Sequence, residues 1–231
     1  MLSENKIRDL ISAEMDLFEK NANRLPRTED IKILKKMRAV WVLSGSGSYL
    51  KPLINTASDQ ANIDNHWYHA TDKVRLDYAK RWLGAYAKIL PNAPRPFLIY
   101  NGVSEQNKDL LKASNKKKYK IPPNQIYIAP GQNVRTLDQV KNFSFPPNIN
   151  FEGGYLGVLS HAQHLARILR FMGKNRKIFR GIKVMALPLK AKNPLYQARM
   201  ANQEIESVLH YIAKGEAMTE PYPYKLIDGV I

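Results

Sequence analysis

Five short apolar runs, each closing on a glycine, proline or hydroxyl turn and most followed by a helical pattern, constrain the fold more than any other feature. Ala39-Val-Trp-Val-Leu43 is apolar throughout and runs into Ser44-Gly-Ser-Gly-Ser48, as expected of a strand buried on both faces that feeds a glycine-rich loop. Pro96–Tyr100, Gln125–Ile128, Gly154–Leu159 and Gly181–Leu187 repeat the theme, the last of them ended by Pro188. Between them lie helical periods: Asp72–Leu90, Ser104–Ala113, Val134–Asn142, Ser160–Met172 and Leu195–Lys214. Ser3 to Lys20 and Glu29 to Lys36 predict two further helices ahead of the first strand, Ser3 supplying the N-cap. Strands alternating with helices imply an α/β fold, a largely parallel sheet of about five strands covered on both faces. The expected divisions are a helical extension over 1–36, an α/β core over 37–190, and a C-terminal helix and tail over 191–231.

A parallel sheet gathers all its strand ends at one edge, and open α/β sheets bind ligands there. That edge is expected to carry Ser44, Gly45, Ser46 and Gly47, then Asn101 and Gly102, then Gly131-Gln-Asn133, then Ser160 and His161. Glycines let backbone N–H groups approach an anion closely, although the spacing matches neither the dinucleotide fingerprint nor the phosphate-binding P-loop. Lys51 to Ala70 is polar and irregular, a length of connection that often serves as a lid.

The segment Tyr155-Leu-Gly-Val-Leu-Ser-His-Ala-Gln-His-Leu-Ala-Arg167 is the richest in chemistry. Leu165, Ile168, Leu169 and Met172 mark a buried helical face, and Ser160, His164 and Arg167 recur on an adjacent one. A hydroxyl beside imidazoles admits a nucleophile–base reading with His164 as the catalytic group. Residues spaced i, i+4 on one helix also converge on a shared ligand, and a histidine satisfied by a neighbouring loop is an equal alternative. His161 and His164 lack a neighbouring carboxylate and the zincin spacing, so no metal site is assigned; His66 and His69 are no more persuasive. Arg75 and Arg167 are the expected oxyanion ligands, because guanidinium grips phosphate or carboxylate as a fork.

Composition bounds the partners. The chain holds 36 Lys plus Arg against 20 Asp plus Glu, a formal net charge of +16, which attracts anionic small molecules, nucleic acid or acidic lipid headgroups without choosing among them. The densest lysine cluster, Lys112, Lys116–Lys118 and Lys120, reads as a solvated loop. Cysteine is absent, which removes thiolate chemistry, disulfides and cysteine-held metal. Neither a signal peptide nor a membrane span is legible, and the expectation is a soluble, cytoplasmic protein.

The order of these segments resembles the YdcF/SanA/ElyC family of bacterial domains. Val40-Trp-Val-Leu-Ser-Gly-Ser-Gly47 resembles the family's opening strand and loop, and Arg75-Leu-Asp-Tyr-Ala79 its helical arginine. Tyr100-Asn-Gly102 stands for its Ser-Gly-Gly turn, Thr136-Leu-Asp138 for its threonine and acid, and Ser160-His-Ala-Gln-His-Leu-Ala-Arg167 for its closing signature. Three departures are visible: Asn101 replaces a glycine, Gln139 an asparagine, and no acid occupies Ala129-Pro130. The resemblance implies a Rossmann-like three-layer α/β/α core that binds a nucleotide-type or phosphorylated molecule, S-adenosylmethionine being one member's ligand. In that reading Arg75, Arg167 and the loop amides hold the anion and Asn101, Thr136 and Asp138 hydrogen-bond the polar remainder, with Asn133 a further ligand-binding candidate. The alternatives are a transferase or hydrolase acting on a phosphorylated or lipid-linked envelope precursor, and nucleic-acid or polyanion binding through the basic surface.

Overall fold

The computed structural model describes residues 2–44, 63–102, 107, 110, 121–131, 135–147, 149–190 and 194–227, with backbone alone for 63–73 and 194–199. Gly45, Ser46, Gly47, Asn133, the lysine cluster, residues 51–62 of the expected lid, and all but Asn107 and Leu110 of the expected helix over 104–113 lie outside the described residues.

Six strands form one sheet: β1 (Met37–Val42), β2 (Phe97–Tyr100), β3 (Ile126–Ile128), β4 (Tyr155–His161), β5 (Lys183–Leu189) and β6 (Tyr224–Lys225). Their order is β3-β2-β1-β4-β5-β6 and every neighbouring pair is parallel. The helices are α1 (Glu4–Lys20), α2 (Ile31–Leu34), α3 (Ile63–Ile89), α4 (Thr136–Lys141), α5 (Ala162–Lys174) and α6 (Pro194–Ala213). The architecture is Rossmann-like, with helices on both faces.

The apolar strands alternate between two cores. Ala39, Trp41, Leu156, Val158, Val184 and Ala186 join the buried faces of α1, α4, α5 and α6. Val40, Val42, Tyr155, Leu159, Met185 and Leu187 face α3, where Leu76, Tyr78, Ala79, Trp82 and Tyr86 pack against them. Burial on both faces is why these strands read as unbroken apolar runs rather than as alternating ones. Ser3 caps α1, its side chain accepting from the Lys6 N–H at 3.3 Å, and Ile11 and Phe18 of that helix are fully buried. At Gly157 in β4, an added Cβ would stand 2.7 Å from Leu187 Cδ1, so a side chain there would have to push the end of Leu187 aside.

Four differences from the sequence reading have physical reasons. The sheet gains β6, two residues set in Pro221-Tyr-Pro-Tyr224, a tail too short and proline-rich to show any periodicity. α3 begins at Ile63, so the second part of the segment read as irregular is helical. β4 continues through Ser160 and His161, and α5 starts only at Ala162. β5 passes through Pro188 instead of ending before it. β6 covers only Val184 and Met185, so further along β5 has an open flank; the Pro188 carbonyl accepts from Asn23 N at 2.9 Å on that flank. The missing proline N–H faces the same way and interrupts no ladder.

Beyond the sheet, Arg170 of α5 ties three segments together while only 2% exposed. Its Nη1 donates to the Glu14 carboxylate of α1 and to Ala166 O at 2.9 Å, and its Nε donates to Thr219 O at 3.2 Å. No helix among the described residues is long and apolar enough to cross a membrane.

Candidate functional site

The strand order reverses between β1 and β4, which makes the carboxyl ends of those two strands the topological switch point. Arg75, projecting from α3, fills the space beside them. It is 2% exposed. Its Nη1 donates to Leu43 O at 2.7 Å, its Nε to His161 Nδ1 at 3.3 Å, and its Nη2 lies 3.3 Å from His164 Nδ1. The end of β1, the last residue of β4 and the first turn of α5 therefore meet through one guanidinium.

Hydrogen-bond polarity is fixed by that cation. Guanidinium can only donate, so Nδ1 of both histidines must accept. Neutral His164 then carries its proton on Nε2, which donates to Thr136 Oγ1 at 2.9 Å. Ser160 Oγ sits 3.0 Å from the same Nδ1. Burial first, and then Arg75, hold His161 well below the usual histidine range. Burial, Arg167, Arg75 and His161, in that order, do the same to His164. Both rings are neutral at pH 7.

A second cluster adjoins the first and is built for rigidity. Gln139 Oε1 accepts from Ser44 N at 3.1 Å, and Gln139 Nε2 donates to Ser44 Oγ at 2.8 Å. Asn101 has no exposure; its Oδ1 accepts from Trp41 Nε1 at 2.8 Å and its Nδ2 donates to Gln139 O at 2.7 Å. Gly102 N donates to Asn107 Oδ1 at 3.1 Å. These bonds lock β1, β2 and α4 in register at the edge.

The remaining expected ligands have other duties. Arg167 Nε lies 3.1 Å from Glu204 Oε2 of α6 in an ion pair whose side chains are 19% and 8% exposed. Burial pushes the Glu204 carboxyl up, against the pull of Arg167 and then Arg75. Asp138 caps α4, accepting from Arg135 N at 3.2 Å and pairing with the Arg135 guanidinium at 3.0 Å, which lowers its pKa. Ser160 and His164 have the spacing of a nucleophile and its base, but the Ser160 side chain is fully enclosed. No group of three or more metal-ligating His, Asp or Glu side chains occurs among the described residues.

Two participants were missed from sequence, Gln139 as an anchor and Glu204 as a buried acid. The second left a signal: Glu204 falls four residues before Val208 on the apolar stripe of α6, where an acid needs a cation.

The depressed imidazoles make stability depend on pH. Their folded pKa values lie below the unfolded value of 6.5, so the unfolded chain takes protons first as pH falls. Stability is complete above 6.5 and is lost below it. From pH 7.5 to 5.5 the two together are expected to lower the unfolding free energy. Burial raises Glu14 and Glu204, which act with the opposite sign from their raised folded values down to the unfolded value of 4.5, so the slope is steepest where the histidines alone titrate. Urea unfolding at pH 7.5, 6.5 and 5.5 measures the slope, and a flat profile contradicts the neutral-histidine assignment.

Compared with protein-family models, curated proteins and solved structures, the chain has no match in any of the three.

Proposed function

We propose that this protein binds a nucleotide-type or phosphorylated small molecule at the carboxyl edge of the sheet, in the manner the YdcF-like resemblance implies. One observation carries the reading. Arg75 forces His164 to donate to Thr136 Oγ1, so the half-buried Thr136 keeps its own O–H for an outside acceptor. Of the chain Arg75, His161, His164, Ser160 and Thr136, only Thr136 is partly exposed. A buried cation thus reaches the switch point as an oriented hydroxyl donor, which suits a phosphate or carboxylate oxygen. The rigid Ser44–Gln139–Asn101 cluster holds the base of the neighbouring loop in place for the same ligand.

Support for this over the enzymic alternative is access: His164 is 6% exposed and its outward nitrogen is occupied by Thr136. Support from the motifs is positional, since Ser44, Arg75, Asn101, Thr136, Ser160, His161 and His164 gather at one edge from six separate segments.

Isothermal titration against ATP, AMP and S-adenosylmethionine tests the proposal, with Thr136→Val as the informative variant. The change keeps the volume and removes the donor. Binding by the wild type, weakened about tenfold or more in Thr136→Val, is the expected outcome. No binding across the panel, or equal affinity in the variant, overturns it. Arg167→Ala is a poorer probe, because it orphans buried Glu204.

A further inference from the structure

The opposite edge of the sheet holds a concavity of about 590 Å³ that the reading above does not use. It opens where β4 and β5 begin. β4 runs from Tyr155 in this concavity to His161 in the other site, about 20 Å at the rise of a strand. One wall is the turn after α5 with Arg176, Arg180 and Gly181; the other is the tail from Tyr222 to Lys225. Tyr222 bolts the two together, its hydroxyl donating to Phe179 O at 2.9 Å and reaching Ile182 O at 3.2 Å. Gly181 makes the turn with φ +78°, a backbone that other residues adopt only under strain.

The lining divides into apolar walls and a cationic rim. Ile182, Val184, Pro223 and the rings of Tyr155 and Tyr222 form the walls, and Arg176, Arg180, Lys183 and Lys225 form the rim. All four cations are exposed, and none has an ion-pair partner among the described residues. No carboxylate among the described residues lines the concavity, and Glu152 lies beside its turn, its Cγ 3.8 Å from where a Cβ on Gly181 would stand. Lys183 Nζ sits 6.0 Å from the centroid of the Tyr155 ring, which parks one cation against an aromatic wall. A solvated surface scatters both signs, whereas here one sign surrounds a largely apolar hollow of ligand size.

We infer that this hollow is a binding site for an amphiphilic aromatic anion, a flat apolar body carrying one sulfonate, carboxylate or phosphate group. The body replaces water against the tyrosine, isoleucine and valine surfaces. The acid group sits at the rim, where it relieves the mutual repulsion of four cations. The site is independent of the carboxyl edge and survives the failure of any proposal made for it.

Anilinonaphthalene sulfonate is the probe, because its emission rises when its rings leave water. The folded wild type is expected to bind one dye per chain, and Arg176→Glu/Arg180→Glu to weaken it about tenfold or more. N-Phenylnaphthylamine, which lacks the acid group, is expected to bind about tenfold or more weakly than the sulfonate. Naphthyl phosphate displaces the dye, while sodium sulfate at equal ionic strength does not. Lys183→Glu/Lys225→Glu reads the same loss should the arginine pair fail to fold, circular dichroism confirming the fold of each. Arg135→Ala, at the far edge, leaves the dye in place. Equal affinity in both charge-reversed variants, equal binding of the neutral dye, or displacement by sulfate alone overturns the assignment.

Discussion

Arg75→Met is expected to lower the unfolding free energy by about 1–3 kcal/mol, the cost of leaving buried hydrogen-bond acceptors unsatisfied. The guanidinium is 2% exposed and supplies donors to Leu43 O, His161 Nδ1 and His164 Nδ1. Methionine fills much of the same volume but leaves those acceptors dry and unmatched. It also takes away one of the cations that oppose the burial cost of Glu204. Relief from burying the arginine itself works in the other direction, which is why the upper end of the range is not exceeded. Chemical denaturation gives the number, and a loss below about 1 kcal/mol contradicts the geometry. The same variant carries a second signature. Without Arg75, the charge that helps depress both imidazoles is gone, so the loss of stability below pH 6.5 is expected to become shallower.

Arg170→Met is the other large effect, about 3–5 kcal/mol, because it leaves a buried carboxylate without its cation. Here the penalty falls on Glu14, whose carboxyl is pushed up by burial and held down first by Arg170 and then by a hydrogen bond with Tyr224. Glu14→Met added to Arg170→Met is expected to recover most of the loss, since an apolar pair can replace a buried ion pair at little cost. A thermal-melt double-mutant cycle reads the coupling. Additive losses would show that Arg170 acts through its bonds to Ala166 O and Thr219 O instead.

Much of the fold was legible because both faces of the central strands are buried. Val40, Trp41 and Val42, or Leu156, Val158 and Leu159, have no solvent side on which a polar residue would break the run. β6 was not legible, since Tyr224 and Lys225 are held by pairing with β5 and by nothing in their own sequence. Pro188 misled for the opposite reason: a local stop signal is harmless where the strand has an open flank, and no local pattern says which flank is open. At the candidate site, Arg75, Thr136, Ser160, His161 and His164 were all named from sequence, and the structure brings them together. Their division of labour was not legible. Arg167 and Asp138 look like ligands in a linear reading because nothing in their own segments shows that Glu204 and Arg135 already engage them. Long-range partners of α6 cannot be inferred from the spacing of α5.

The two-residue β6 and the proline in β5 bear on how this sheet meets other molecules. A sheet border grows by recruiting a new strand onto a row of free N–H and C=O groups. On this border the first part of the row is taken by Tyr224 and Lys225, and Pro188 deletes a donor further along. Asn23 then spends its backbone N–H on the Pro188 carbonyl and its side chain on Lys190 N at 3.3 Å. The opposite border, β3, is three residues long. A protein with long apolar strands at its centre is thereby kept from templating its own aggregation, at the expense of nothing more than a turn, a proline and a short tail.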